Sequence, residues 1–199
     1  MDLRRVTLPV RLILALSAGA LVLNVVACDE KKVGEARMRL DPTNWEMALI
    51  EYPFDSGEDI VSQANLLDGS FPADVGGTVE LALNGSDLTW TVDSDIGTAT
   101  ITWPFFDTVL FWVNLGVVGG DGPAWFGNFT LDGDPIPADL TSPDGNTWVI
   151  EKLQSGSFLL GGPWSIEGEF SFANAPGPAQ EKPKVFIELI KLAVDLPIQ

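Results

Sequence analysis

The chain predicts an all-β domain, an antiparallel β-sandwich or, as the alternative, a closed meander barrel, on three observations. Residues 78–103 alternate apolar and polar with period two, Asn-Gly and Asp-Gly pairs punctuate the sequence, and the apolar runs between them are short and rich in Val, Ile, Thr and aromatic residues. With 199 residues, 46% of them hydrophobic, there is material for one core and a short appendage.

The meander is the clearest element. Val79, Leu81 and Leu83 alternate with Thr78, Glu80 and Ala82, and Asn84-Gly85 supplies a hairpin turn. Leu88, Trp90 and Val92 then alternate with Thr89, Thr91 and Asp93. After Ser94-Asp95-Ile96-Gly97 the pattern resumes with Ala99, Ile101 and Trp103 against Thr98, Thr100 and Thr102. Further strands are expected in the runs 108–118, 125–131, 146–153 and 163–173, set off by Asp121-Gly122, Asp132-Gly133 and Asp144-Gly145. In the last run Trp164, Ile166 and Phe170 share one parity while Glu167 and Glu169 share the other, which faces water. Two segments depart from the theme. Ser56-Gly57-Glu58-Asp59 has the spacing of a capping box and predicts a short helix near 57–66. Residues 185–196, after a Pro/Gly-rich linker at 174–183, fit either a helix with a polar stripe of Lys184, Glu188, Lys191 and Asp195 or a strand buried on both faces, and the all-β company favours the strand.

The N-terminus carries an address. Arg4, Arg5 and Arg11 precede an apolar stretch at 12–23, which is followed by Asn-Val-Val-Ala-Cys at 24–28, the order of an export signal. The segment Val25-Val26-Ala27-Cys28 resembles the lipobox of bacterial lipoproteins, with Val25 where Leu is commoner. The resemblance covers residues 1–28 alone and implies that Cys28 is acylated and becomes the mature N-terminus. Asp29 and Glu30 resemble the acidic residues that retain lipoproteins at the inner membrane in enteric bacteria. The expected organisation is a signal peptide at 1–27, a polar tether at 28–44 that lifts the domain off the bilayer, and a single all-β domain at 45–199.

Eleven basic and 28 acidic residues give a net charge of −17, which argues against nucleic acid as a partner. Removing residues 1–27 leaves 8 basic and 27 acidic residues, or −19. Residues 40–151 contain 19 carboxylates and no Lys or Arg, so within that block carboxylates must be solvated, hydrogen-bonded or bound to cations.

Catalytic chemistry is thinly represented. With no His and one Cys, a Ser-His-Asp triad, a Cys-rich zinc site and an iron–sulfur cluster are all excluded within this chain. No phosphate-binding or dinucleotide fingerprint is present. Glu167 and Glu169 have the same-strand spacing that a pair of glycosidase carboxylates could use, but so does any strand with alternating acids. Calcium is the one candidate cofactor: Asp132, Asp134 and Asp139 put three carboxylates in eight residues, although against an EF-hand loop Asn128 stands at the first position in place of Asp and Asp139 at the last in place of the long Glu. Asp93 and Asp95 are a weaker pair. Residues 101–129 hold eight aromatic rings, more than a thin core needs, so Trp103, Phe105, Phe106, Trp112, Trp125 and Phe126 are candidate ligand-binding residues.

These readings converge on a non-enzymatic, lipid-anchored binding or assembly module of the cell envelope, facing the periplasm or the exterior. Its expected partners are the membrane, through Cys28, and an envelope protein or glycan. Two alternatives follow from other arrangements of the same residues: a carrier with an apolar ligand inside a barrel, and a glycan hydrolase with paired carboxylates.

Overall fold

The computed structural model describes residues 29–41, 44–53, 57–68, 72–105, 109–110, 112–145, 147–174 and 183–193. The signal segment with Cys28, Phe106, Ser56 of the expected capping box and most of the 174–183 linker lie outside the described residues. In chain order the elements are β1 (Asp29–Asp41), β2 (Asn44–Glu51), β3 (Asp59–Asp68), β4 (Val75–Asn84), β5 (Asp87–Ser94), β6 (Gly97–Pro104) and β7 (Trp112–Val118). They continue with β8 (Ala124–Leu131), β9 (Asp134–Pro135), β10 (Leu140–Ser142), β11 (Trp148–Leu153), α1 (Gly156–Leu159), β12 (Trp164–Phe172) and β13 (Lys184–Ala193).

The strands form two antiparallel sheets packed face to face, a sandwich and not the closed barrel that was the alternative. One sheet, here sheet A, has the order β11-β7-β13-β1-β2-β3; the other, sheet B, has β10-β8-β12-β4-β5-β6, with β9 paired to β8. Alternation decides which side chains go inward. In β12 Trp164, Ile166, Phe170 and Phe172 enter the core while Glu167, Glu169 and Ser171 stay exposed. The meander follows its expected register, Leu81 facing Trp90 and Trp90 facing Ile101, all three buried. Rings fill the interior: Trp45 of sheet A packs against Phe172 of sheet B at 5.1 Å, and within β8 Phe126 lies edge-on to Phe129 at 4.5 Å.

Three expectations change. Residues 29–41, expected within a polar tether, form β1, the strand between β13 and β2 inside sheet A, so the sandwich includes residues well before 45. Ala36, Met38 and Leu40 point into the core, and the opposite parity, Glu35, Arg37 and Arg39, is accommodated by ion pairs on the outer face. The helix expected near 57–66 is strand β3. Its backbone is hydrogen-bonded along β2, and β-branched Ile60 and Val61 suit that pairing, so tertiary context overrides the local cap signal. The described part of the 185–196 segment, through Ala193, is strand: β13 sits between β7 and β1, with Val185, Ile187 and Leu189 in the core and Phe186 and Ile190 buried on the other face.

Candidate functional site

The two outer faces of the sandwich differ in charge, and the difference arises from register. Lys32, Arg37 and Arg39 of β1, Lys152 of β11 and Lys184 of β13 all have the parity opposite to the core and gather on the outer face of sheet A. On that face Glu35 of β1 lies directly opposite Glu188 of β13. Two facing carboxylates repel. Lys32 Nζ resolves the conflict, donating to Glu35 Oε2 at 2.5 Å and to Glu188 Oε1 at 2.8 Å. The Tyr52 hydroxyl lies between two carboxylates, 2.9 Å from Glu35 Oε2 and 3.2 Å from Glu58 Oε1, which share its one proton; Arg37 reaches Glu58 at 3.4 Å, and Asn114 donates to Glu188 Oε2 at 3.0 Å.

The cluster's titration reflects that geometry. Burial disfavours the charge on Lys32, but the field of Glu35 and the hydrogen bonds to Glu188 and Glu35 outweigh it and hold its pKa above the ordinary lysine value. Burial raises the Tyr52 phenol, and Glu35 adds to the effect against the opposing pull of Lys32. Burial would raise Glu58, yet Arg37 and the Tyr52 hydrogen bond lower it. Lys184 is lowered, by burial above all. Its ammonium lies 3.8 Å from the ring centre of Trp148, and that of Lys152 lies 3.1 Å from the ring centre of Trp112. Phe186 lies flat over Gly116, where any Cβ would meet its ring within 2.1 Å.

Sheet B repeats the register motif without the cation. Glu80 of β4 lies directly opposite Glu167 of β12, and Thr78 lies between Asp93 of β5 and Glu169 of β12. These four carboxylates, with Thr91, Asn128 and Thr130, line a groove of about 440 Å³ across the outer face. Among the described residues none of the four is paired with a Lys or Arg, because every basic side chain between residues 32 and 184 that the structure describes lies on sheet A. Asn128, in the left-handed region at φ 51°, sits at the bulge between β8 and β12 and donates to Glu169 Oε2 at 2.8 Å. The Thr130 hydroxyl in the groove wall is buried with no partner among the described residues. Beside the groove, Thr91 and Thr100 hydroxyls lie 3.1 Å apart and Thr98 donates to Asp93 at 2.5 Å.

The aromatic candidates do not form one cluster, although Trp103 and Phe105 meet edge-on at 4.9 Å within the core. Trp103, Phe105 and Phe126 are core residues, Trp112 is buried beneath Lys152 on the outer face of sheet A, and Trp125 is half-buried on the outer face of sheet B, where its Nε1 donates to Asp139. Phe106 lies outside the described residues. The calcium candidates are likewise apart in role. Asp132 and Gly133, both at positive φ, form a type I′ hairpin turn between β8 and β9, and the Asp132 carboxylate accepts from Ser165 N at 2.9 Å and Ser157 Oγ at 3.2 Å. Asp134 is exposed in β9 and Asp139 is committed to Trp125. No cluster of three or more potential metal-ligating side chains occurs among the described residues. Glu167 and Glu169 do share a groove, but both are exposed, without the burial that a glycosidase general acid uses. What the sequence reading missed is the convergence of basic residues on sheet A, whose only trace is the alternation Glu35-Ala36-Arg37-Met38-Arg39-Leu40.

No protein-family model matches the chain, and no curated protein matches it. The class these observations define is therefore structural: an antiparallel β-sandwich with one charge-paired face and one acidic, groove-bearing face. Among its described residues no helix is long and apolar enough to cross a membrane.

Proposed function

We propose that this protein is a lipid-anchored, extracytoplasmic binding or assembly module of the cell envelope, without catalysis of its own, whose partner carries positive charge and docks on the outer face of sheet B. The observation that carries the reading is the contrast between two equivalent registers. Facing glutamates on sheet A, Glu35 and Glu188, are bridged by Lys32; facing glutamates on sheet B, Glu80 and Glu167, have no cation of their own among the described residues. A lysine- or arginine-bearing segment laid across the groove would supply it, and the Thr78, Thr91 and Thr130 hydroxyls would orient it. The carrier reading is less well supported, since Trp103, Phe105 and Phe126 pack into a two-sheet core.

A pentalysine peptide titrated against the full chain in detergent micelles tests the face. The double variant Glu80→Gln/Glu167→Gln should weaken binding by roughly tenfold at low salt, whereas Asp121→Asn/Asp134→Asn, with the same change in net charge, should move it by less than about twofold. Equal losses in the two variants would reduce the attraction to net charge and remove the groove as a site. The anchor is tested separately. A Cys28→Ser chain should lack acyl groups by intact mass and leave the membrane fraction on mild washing, because an acidic domain offers the bilayer no electrostatic hold. Full retention of that variant in the membrane would make residues 12–27 an uncleaved span.

A further inference from the structure

We infer that the end of the sandwich formed by α1 and residues 109–110 dips into the bilayer that holds the Cys28 anchor, so that the domain stands directly on the membrane with its strands upright. The inference rests on the proposed acylation of Cys28 and adds a second, protein-borne contact to it.

Three observations place this contact. The first is where the chain enters the fold. β1 starts at Asp29, the residue after Cys28, so one peptide unit of about 3.5 Å is all that separates the lipidated residue from the sheet. An anchor so close holds that end of the sandwich against the headgroups.

The second is what else lies at that end. β1 and β7 both run antiparallel to β13, so they run parallel to each other, and the register Lys32–Ile190–Trp112 puts the first residue of β7 level with the fourth of β1, at the same end of the sheet. Val109 precedes Trp112 by as many residues as Asp29 precedes Lys32. β11 ends there too, and Lys152 near its end comes within 3.8 Å of Glu30. α1 then crosses from sheet A to sheet B, and Leu110 N donates to Phe158 O at 3.1 Å, which ties residues 109–110 to it.

The third is the chemistry of that crossing. Phe158 plugs the core, edge-on to Trp164 at 5.3 Å, so the next residues of the turn must face away from the sandwich. Leu159 and Leu160 are 52% and 83% exposed, and Val109 is 50% exposed. Residues 153–166 carry no charged side chain at all, in a chain where a fifth of residues are charged. Adjacent exposed leucines on an uncharged connection are an apolar projection of the kind that enters the headgroup and acyl boundary.

The lipidated protein tests this, because acylation occupies Cys28 and the chain has no other Cys. Leu160→Cys would be labelled with an environment-sensitive fluorophore and reconstituted into phosphatidylcholine vesicles with and without lipids carrying a doxyl quencher high on the acyl chain. Asp121→Cys, in the exposed loop at the opposite end between β7 and β8, serves as control, and Leu159→Cys repeats the test at a second position. The label at 160 should be quenched by at least about twofold and shifted to the blue, and the label at 121 should be affected by neither. An unquenched label at 160 and at 159 in protein whose intact mass shows an acylated Cys28 would overturn this inference and leave the anchor standing. An unmodified Cys28 would instead defeat the anchor, whatever the label reports.

Discussion

Glu35→Gln is expected to destabilise the fold by about 3–5 kcal/mol in denaturant titration, the cost of removing one partner from a buried ionic cluster. Glu35 is only 4% exposed, as is Arg37. Its carboxylate accepts from Lys32 and from Tyr52 and stands 3.9 Å from Arg37. Glutamine keeps the volume of the side chain, so the core-facing parity of β1 is untouched. What changes is charge: Lys32 and Arg37 remain in a site of low polarity with one counter-charge removed, and the amide presents a donor toward a lysine that is itself only a donor. Glu30 is the control, since its pair with Lys152 spans 3.8 Å between side chains that are 64% and 43% exposed. Glu30→Gln should change stability by less than about 0.5 kcal/mol. A Glu35→Gln protein as stable as the parent would mean that the outer face of sheet A is held by its aromatic packing alone.

The same cluster sets a pH window. Glu58 has a folded pKa below its unfolded value, so the stability it contributes is present above the ordinary glutamate range of about 4.3 and is lost as pH falls through the folded value. Lys32 has a folded pKa above its unfolded value, so its contribution is complete below about 10.4 and is lost only as strongly alkaline solution deprotonates it in the fold. Lys184 runs the other way: its lowered pKa means that the charged form is held at a cost, which fades as pH rises toward about 10.4. The cluster is therefore intact across the neutral range and loosens first on the acid side.

The contrast between the legible and the illegible parts of this chain has a physical basis. The meander could be read because the alternation holds along each of its three strands between Thr78 and Trp103 and only one of its faces is buried, so parity and burial coincide. β1 could not, for the opposite reason. Its outward parity is charged, as in a solvated segment, yet Glu35 and Arg37 are buried by neutralising each other and their neighbours, and a register shift between Lys32 and Gly34 breaks the alternation at its start. β13 was ambiguous because its outward parity mixes the charged Lys184 and Glu188 with the buried Phe186 and Ile190, so apolar residues occupy both parities and no clean alternation stands out. The cluster that draws on residues 32, 35, 37, 52, 58 and 188 depends on which strands become neighbours, and that pairing is a tertiary fact with no local signature. The aromatic window is divided between faces for a simpler reason. Neighbours in sequence point to opposite faces of a strand, so Trp125 and Phe126 are parted by the sheet itself.

Trp90→Ala is expected to cost about 3–5 kcal/mol, the usual range for emptying a large aromatic site in a packed core. Trp90 lies in the middle of β5, 0% exposed, facing Leu81 across one register and Ile101 across the other, so neither neighbouring strand can close over the space its ring leaves. One feature moderates the loss. The indole Nε1 is buried with no hydrogen-bond partner among the described residues, so part of the benefit of burying the ring is already offset by a desolvated donor. Trp90→Phe removes that donor along with some volume, and these opposing changes should leave it within about 1.5 kcal/mol of the parent. On the other face of the same sheet Glu167→Gln should alter stability by less than about 0.5 kcal/mol, because its side chain is exposed and lies opposite a like charge in Glu80. Denaturant titration that ranked Glu167→Gln as the costlier change would reverse the inside and outside of sheet B and, with them, the acidic groove.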